Sequence, residues 1–263
     1  MSAMSHRPLR LVRSNPGDAV TNAAVSHALL RRVSDGLEPE TLRLYRPERI
    51  VAFGPMDRVA PGYRDAVAAA RDRGFEAIER LSGGRAAVFH EETIAFAWSI
   101  PDPDPRLRIR DRFDEVASLM VAAFRSLGVD ARVGEVPGEY CPGEHSVNAR
   151  GRTKLMGVGQ RVVAHAAHMG GVVVVSRSDL IRDVLVPVYD RLDLGWNPAT
   201  VGSLTDEQAS ITWNEAEAAV TAEFGSRHEL YEGAISPQTL ALSERLVARH
   251  SIGEPQASRP TAG

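Results

Sequence analysis

Two residues stand out by type before any pattern is sought. Lysine and arginine together number 31, and Lys154 is the single lysine, which leaves 30 arginines. A preference for arginine accounts for the missing lysines but not for the one retained. A site that needs a compact ammonium point charge does not accept a planar guanidinium instead, so chemistry is expected around Lys154. The chain also has one cysteine, Cys141, thirteen residues earlier. It is followed by Pro142 and Gly143, which puts it in a turn rather than inside a helix or strand. The thiolate is the attacking form of a cysteine, and nearby cations favour it. A thiol and an ammonium brought together suit nucleophilic chemistry. An inert loop thiol and a surface lysine would use the same residues for nothing.

Two glycine-containing stretches are placed to accept a ligand. In Arg80-Leu81-Ser82-Gly83-Gly84-Arg85, the glycine pair lets the backbone turn sharply and lets a ligand approach main-chain N–H groups. Arg80 and Arg85 flank the turn and can face an anionic or carbonyl group, although a plain hairpin with two surface arginines fits the same pattern. His90 follows as a base, a substrate contact or a structural residue. Further on, Gly157 and Gly159 fall on one face of a strand, with Lys154 at its mouth, and leave room above the sheet for a flat or extended ligand. No third glycine or helix follows to make a dinucleotide fingerprint, and no Gly-Lys-Ser/Thr phosphate loop is present. Glu144, His165 and His168 do not fall at zinc-site spacings.

These segments need a scaffold. Hydrophobic periodicity and stop signals predict helices over 18–32, 62–73, 111–127, 178–186, 206–211, 214–224 and 237–249. The clearest is 111–127, with Asp111 as N-cap and Gly128 as stop. Strands are expected over 41–45, 50–53, 77–80, 86–89, 94–100, 132–136, 146–149, 155–163 and 172–176. They are short and often adjacent in sequence, which predicts an α+β domain: a mixed, largely antiparallel sheet with helices packed on it. Residues 1–10 read as a flexible N-terminus, 11–250 as one domain, and the Ser/Pro/Gly/Ala-rich stretch 251–263 as a disordered tail.

Composition narrows the class. The 263 residues are 43% hydrophobic and 25% charged, as in ordinary globular proteins. A net charge of −3 gives no general attraction to nucleic acid. Apolar runs such as 170–175 fall far short of the ~20 residues of a membrane helix, and the polar, Arg-rich N-terminus lacks the apolar stretch of a secretory signal. With one cysteine no internal disulfide forms, and a cytoplasmic location is the expectation.

Taken in order, the segments resemble the biotin/lipoate protein ligase superfamily over about residues 18–190. The Ser82-Gly83-Gly84 turn looks like its lipoate-side loop. Lys154, Gly157, Gln160 and Arg161 look like its Lys-x-x-Gly-x-x-Gln-Arg strand. Within the superfamily, Glu135, Gly138, Tyr140, Cys141, Pro142 and Gly143 are similar to the Glu-x-x-Gly-x-Tyr-Cys-Pro-Gly run of the octanoyl/lipoyl amidotransferase branch. That branch tends to carry Asp where His90 stands.

The resemblance implies the same α+β fold and a specific chemistry. Cys141 would take an octanoyl or lipoyl group as a thioester and pass it to a lysine of a lipoyl-carrier domain. Lys154 would be the second catalytic residue, touching the acyl carbonyl. Arg80, Ser82, Gly83, Gly84, Arg85, His90, Gly157, Gly159 and Gln160 would form the substrate site, with no metal and no cofactor beyond the acyl group. The implied partners are the glycine-cleavage carrier and 2-oxoacid dehydrogenase subunits, with no nucleic acid and no membrane. Two other readings stay open. One is an ATP-dependent lipoate–protein ligase that uses ATP and Mg and holds lipoyl-AMP on Lys154, with Cys141 incidental. The other is a non-catalytic binder of acylated carrier domains.

Overall fold

The computed structural model describes residues 7–253. In chain order it runs β1 (Arg7–Val12), α1 (Ala19–Ser34), β2 (Thr41–Tyr45), β3 (Ile50–Phe53), the one-turn α2 (Pro55–Arg58), α3 (Tyr63–Asp72), β4 (Glu76–Glu79), β5 (Ala87–Phe89), β6 (Thr93–Pro101) and α4 (Ile109–Ser126). It continues with β7 (Ala131–Val133), β8 (Val147–Ala149), β9 (Thr153–Val162), β10 (Ala166–Val174), α5 (Ser178–Arg191), α6 (Leu204–Glu207), α7 (Trp213–Gly225), β11 (His228–Glu232) and α8 (Pro237–Glu244). Eight strands form one sheet in the order β11-β1-β2-β6-β10-β9-β8-β7, and β4-β3-β5 form a second. In the large sheet only the β1–β11 and β1–β2 pairs are parallel. In the small one β3 runs parallel to β4 and antiparallel to β5. This is the mixed, largely antiparallel α+β architecture that the sequence predicts.

Two apolar clusters fix the sheets to the helices. Val116, Met120, Ala123 and Phe124, from the periodic stripe of α4, pack with Trp98, Met156 and Phe224 over the large sheet. Trp98 is fully buried, edge-on to Phe224 and His228 at 5.3 Å each. Its indole N–H donates to Glu40 Oε1 at 2.9 Å, so the one polar atom of the largest core side chain is satisfied. The other cluster joins Val67 of α3 and Ile181, Leu185 and Val188 of α5 to Val51 and Phe53 of the small sheet.

Several boundaries differ from the sequence expectation. Residues 7–10 are not a flexible end but most of β1: Leu9 and Leu11 are buried, and the Arg10 guanidinium between them bonds Thr41 and pairs with Glu38 at 2.7 Å. The expected tail begins late as well. Ser251 bridges to Ile78 and Arg71 donates to the Ile252 carbonyl, while 254–263 lie outside the described residues. β10 starts at Ala166 rather than 172, running straight through Gly170 and Gly171, and β11 was not foreseen. α4 begins at Ile109, so Asp111 is a first-turn acid rather than the cap. α6 starts at Leu204 behind Ser203, whose side chain accepts from Asp206 N–H, and ends before the expected 211.

Candidate active site

Three pieces of chain meet over the middle of the large sheet. β9 and β10 are the floor, the 80–86 turn between β4 and β5 is one wall, and the 134–146 loop between β7 and β8 is the other. They enclose a cavity of ≈ 590 Å³ whose lining includes Cys141, Lys154, Arg80, Gly84, Gly157 and Gly159. That volume falls within the range of small-molecule sites.

Cys141 sits on the wall in a left-handed conformation, φ 41°, which costs a non-glycine residue free energy and persists only when its neighbours over-determine it. Here they do. Its N–H donates to Tyr189 Oη at 2.9 Å, and the Tyr189 hydroxyl donates to the Ala86 carbonyl at 3.0 Å, tying the two loops together. Burial pushes the Tyr189 phenol well up in pKa, so this bridge stays neutral. The Cys141 carbonyl accepts from Lys154 Nζ at 2.7 Å. The sulfur faces two donors, the Arg85 N–H at 3.3 Å and Arg80 Nη1 at 3.7 Å. Gly84 makes this approach possible: its φ is +106°, and a Cβ there would lie 3.0 Å from the sulfur.

Lys154 is only 2% exposed. Its ammonium meets three acceptors from three consecutive residues: Glu139 Oε1 at 2.8 Å, the Tyr140 carbonyl at 3.0 Å and the Cys141 carbonyl at 2.7 Å. It also lies 4.9 Å from the centre of the Tyr140 ring. Glu139 is fixed in turn by the Ser146 hydroxyl at 2.6 Å and the Val136 N–H at 2.9 Å. An ammonium has three protons to give, and all three are engaged. Lys154 therefore grips the backbone of the cysteine turn rather than the sulfur.

The other predicted residues divide. Gly83, Gly84, Gly157, Gly159 and Gln160 line the cavity with Arg80. Gln160 also fastens the floor to α4, accepting from Arg112 at 2.9 Å and donating to the Ile109 carbonyl at 3.1 Å. Ser82 does not line it but supports Arg80, accepting from Nη2 at 3.1 Å. Arg85 contributes its main chain only, since its guanidinium turns away to the Met56 carbonyl and Asp57. His90 is not part of the site. It is fully buried outside the cavity, closes the turn between β5 and β6 by accepting from Glu92 N–H at 3.2 Å, and is lowered to about 4 by burial. Sequence reasoning missed Glu139, Tyr189 and Gly171. Gly171 lines the cavity beside Gly157, and its α-carbon would carry a Cβ 2.2 Å from the Gly157 carbonyl oxygen. The Gly170-Gly171 pair opposite Gly157-Val158-Gly159 is a signal that pairing adjacent strands would have revealed.

Among the described residues, no group of three His, Cys, Asp or Glu side chains is arranged to hold a metal, and no helix is long and apolar enough to cross a membrane.

The chain is similar to proteins of known family. Residues 18–225 match the family model described as the lipoyl protein ligase A/B catalytic domain. An octanoyl-GcvH:protein N-octanoyltransferase of Geobacillus kaustophilus is 29% identical over 175 residues, 63% of this chain and 60% of that protein's length. A lipoyl-GcvH:protein N-lipoyltransferase of Listeria monocytogenes is 27% identical over 90% of this chain and 91% of its own. Among solved structures, a bipartite lipoate protein ligase of Thermoplasma acidophilum superposes with a TM-score of 0.73 at 19% identity, covering 93% of each chain. A lipoate-protein ligase A bound with ATP superposes at 0.72 and 20% identity, over 94% of this chain and 95% of the other. At these identities the structural matches speak for the fold.

Proposed function

The chain belongs to the lipoyl protein ligase A/B catalytic-domain family, and from that premise we propose that it moves an octanoyl or lipoyl group between carrier-domain lysines through a thioester on Cys141. One observation carries the reading. The only thiol of the chain stands at the edge of the cavity with its sulfur facing two N–H donors and its backbone held at every polar atom. A bystander cysteine has no need of a left-handed turn anchored by a buried ion pair. The names of the relatives place the acyl group on GcvH, which makes a glycine-cleavage carrier the proposed donor and 2-oxoacid dehydrogenase subunits the acceptors. The reading treats the described residues as one catalytic domain working in the cytoplasm, where a free thiol survives.

The steps balance without an outside reagent. The Cys141 thiolate attacks the acyl carbonyl of the donor's lysine amide, the C–S bond forms, the C–N bond breaks, and the lysine amine leaves with a proton. The acceptor lysine amine then attacks the thioester, the C–N bond forms, the C–S bond breaks, and a proton is released as the thiolate returns. One lysine amide replaces another, so ATP is not consumed. The acyl chain lies over the glycine floor, where burying each methylene contributes about 0.8 kcal/mol. The ligase alternative would use ATP, Mg and free lipoate and would leave Cys141 idle.

The test is intact-mass analysis after incubation with an octanoylated carrier. One octanoyl unit should appear on the wild-type chain and none on Cys141→Ala, which should also lose transfer. If Cys141→Ala lipoylates a carrier from ATP and free lipoate as fast as wild type, the ligase reading replaces this one.

A further inference from the structure

We infer that Arg80 is a catalytic residue of this reaction: its guanidinium, rather than the Lys154 ammonium, is the cation that faces the reacting sulfur. The inference rests on the thioester reading above and goes beyond it by reassigning the activating charge.

The geometry separates the two cations. Lys154 has spent its three protons on Glu139, Tyr140 and Cys141, and what it touches in Cys141 is the carbonyl. Arg80 reaches the sulfur itself, at 3.7 Å from Nη1, as does the Arg85 N–H at 3.3 Å. One proton of Nη1 goes to the Arg85 carbonyl at 3.0 Å and Nη2 bonds Ser82 Oγ at 3.1 Å, so the fork is fixed and the other N–H of Nη1 meets the sulfur. The charges separate them too. Lys154 is neutralised by Glu139 and Arg85 faces Asp57, whereas among the described residues no carboxylate lies within ion-pair distance of Arg80. The cavity thus holds a partly buried guanidinium whose nearest candidate for an opposite charge is the sulfur.

Two glycines shape the slot in which it lies. A Cβ on Gly84 would come within 3.2 Å of Nη1, and a Cβ on Gly159 within 2.9 Å of Nη2. The chemistry follows from the placement. Before attack the guanidinium and the Arg85 N–H are the two donors that meet the sulfur. As the C–S bond forms, negative charge passes from sulfur to the carbonyl oxygen. When the acceptor amine later breaks that bond, charge returns to sulfur, where the same two donors receive it.

The experiment measures alkylation of the single thiol by iodoacetamide at pH 7, with no carrier present, alongside octanoyl uptake from an octanoylated carrier. The chains compared are wild type, Arg80→Gln, Arg80→Lys and, as a cation outside the cavity that pairs with Glu91, Arg49→Gln, each checked for folding by circular dichroism. Arg80→Gln should slow alkylation about tenfold or more, Arg80→Lys should recover part of it, and Arg49→Gln should not slow it. A merely structural Arg80 would give the opposite sign, because a loosened turn exposes the sulfur and speeds alkylation. Wild-type or faster alkylation in Arg80→Gln overturns the inference, as does equal slowing in Arg49→Gln. Alkylation that behaves as expected while the wild-type chain takes up no octanoyl group sinks the thioester reading, and with it the catalytic role, while leaving the Arg80–sulfur contact in place.

Discussion

Replacing Glu139 with glutamine isolates what the buried ion pair contributes. The side chains of Lys154 and Glu139 are 2% and 0% exposed and meet at 2.8 Å. At an effective dielectric constant of about 20, two unit charges at that distance attract by roughly 6 kcal/mol. Much of that only offsets the desolvation of two ions, and an intact buried pair is close to neutral in net effect. Removing one partner is different, because it strands the other charge: such changes cost about 3–5 kcal/mol. Glutamine also presents an NH2 group where the carboxylate accepts from Val136 N–H or the Ser146 hydroxyl. For a domain of this size each kcal/mol lowers Tm by about 2–4 °C, so Glu139→Gln should melt roughly 6–20 °C below wild type. Arg49→Gln supplies the control. Its pair with Glu91 is just as close, at 2.7 Å, but both side chains are 42% exposed, and exposed pairs are screened by solvent and contribute little. It should melt within about 4 °C of wild type. Thermal melts by circular dichroism read both, and transfer by Glu139→Gln is measured well below its melting point. If the two variants melt together, Lys154 is not held by Glu139 and the clamp on the cysteine turn is wrong.

Three further predictions follow from the same contacts. Lys154→Arg should abolish transfer, because a planar fork cannot bond three acceptors clustered around one nitrogen; near-normal transfer by this variant removes Lys154 from the machinery. Gly159→Val should cut transfer at least tenfold at a cost of about 1–3 kcal/mol in stability, since its Cβ would lie 2.8 Å from Ser82 Oγ and 2.9 Å from Arg80 Nη2; a wild-type rate means Arg80 can move without loss. His90→Asn should flatten the acid limb of the stability curve. The folded histidine is lowered to about 4 from an ordinary 6.5, so below pH 6.5 the unfolded chain binds a proton that the folded chain refuses, and stability falls as pH drops toward 4. Melting temperatures at pH 7, 6, 5 and 4 test this, and parallel curves for the two chains would contradict it.

Much of the site was legible because its residues are unusual in type. A sole lysine and a sole cysteine need no alignment to be noticed, and the glycine pairs mark where neighbouring segments approach closely. The helices of the core were legible because their apolar period is long; the stripe from Val116 to Phe124 is one example. What escaped was relational. Glu139 looks like any loop acid until the turn brings it under Lys154. Arg85 looks like a partner of Arg80 until its side chain is seen to leave with Asp57. β1 was hidden because Arg10, an inward-facing cation between two leucines, breaks the hydrophobic signal and is rescued only by Glu38 and Thr41, which lie some thirty residues away. His90 misled for the converse reason: a histidine near a glycine turn suggests chemistry, and only its burial shows that it closes a hairpin.

The retention of one lysine among thirty arginines now has a physical cause. Arginine suits places where two oxygens lie side by side: Arg49 on Glu91, Arg132 on Asp130 and Arg177 on Asp179 are all two-nitrogen contacts to one carboxylate. At position 154 the acceptors do not lie side by side. They come from residues 139, 140 and 141 and converge on one point from different directions, all between 2.7 and 3.0 Å. Only a tetrahedral donor with its protons spread around one nitrogen matches that arrangement. The convergence is itself a product of the turn that swings Cys141 into a left-handed conformation, and that same turn carries the sulfur across to Arg80 and the Arg85 N–H. The lysine is therefore tied to the cysteine through the backbone, so a change at either residue should move the sulfur relative to its donors before it alters any charge.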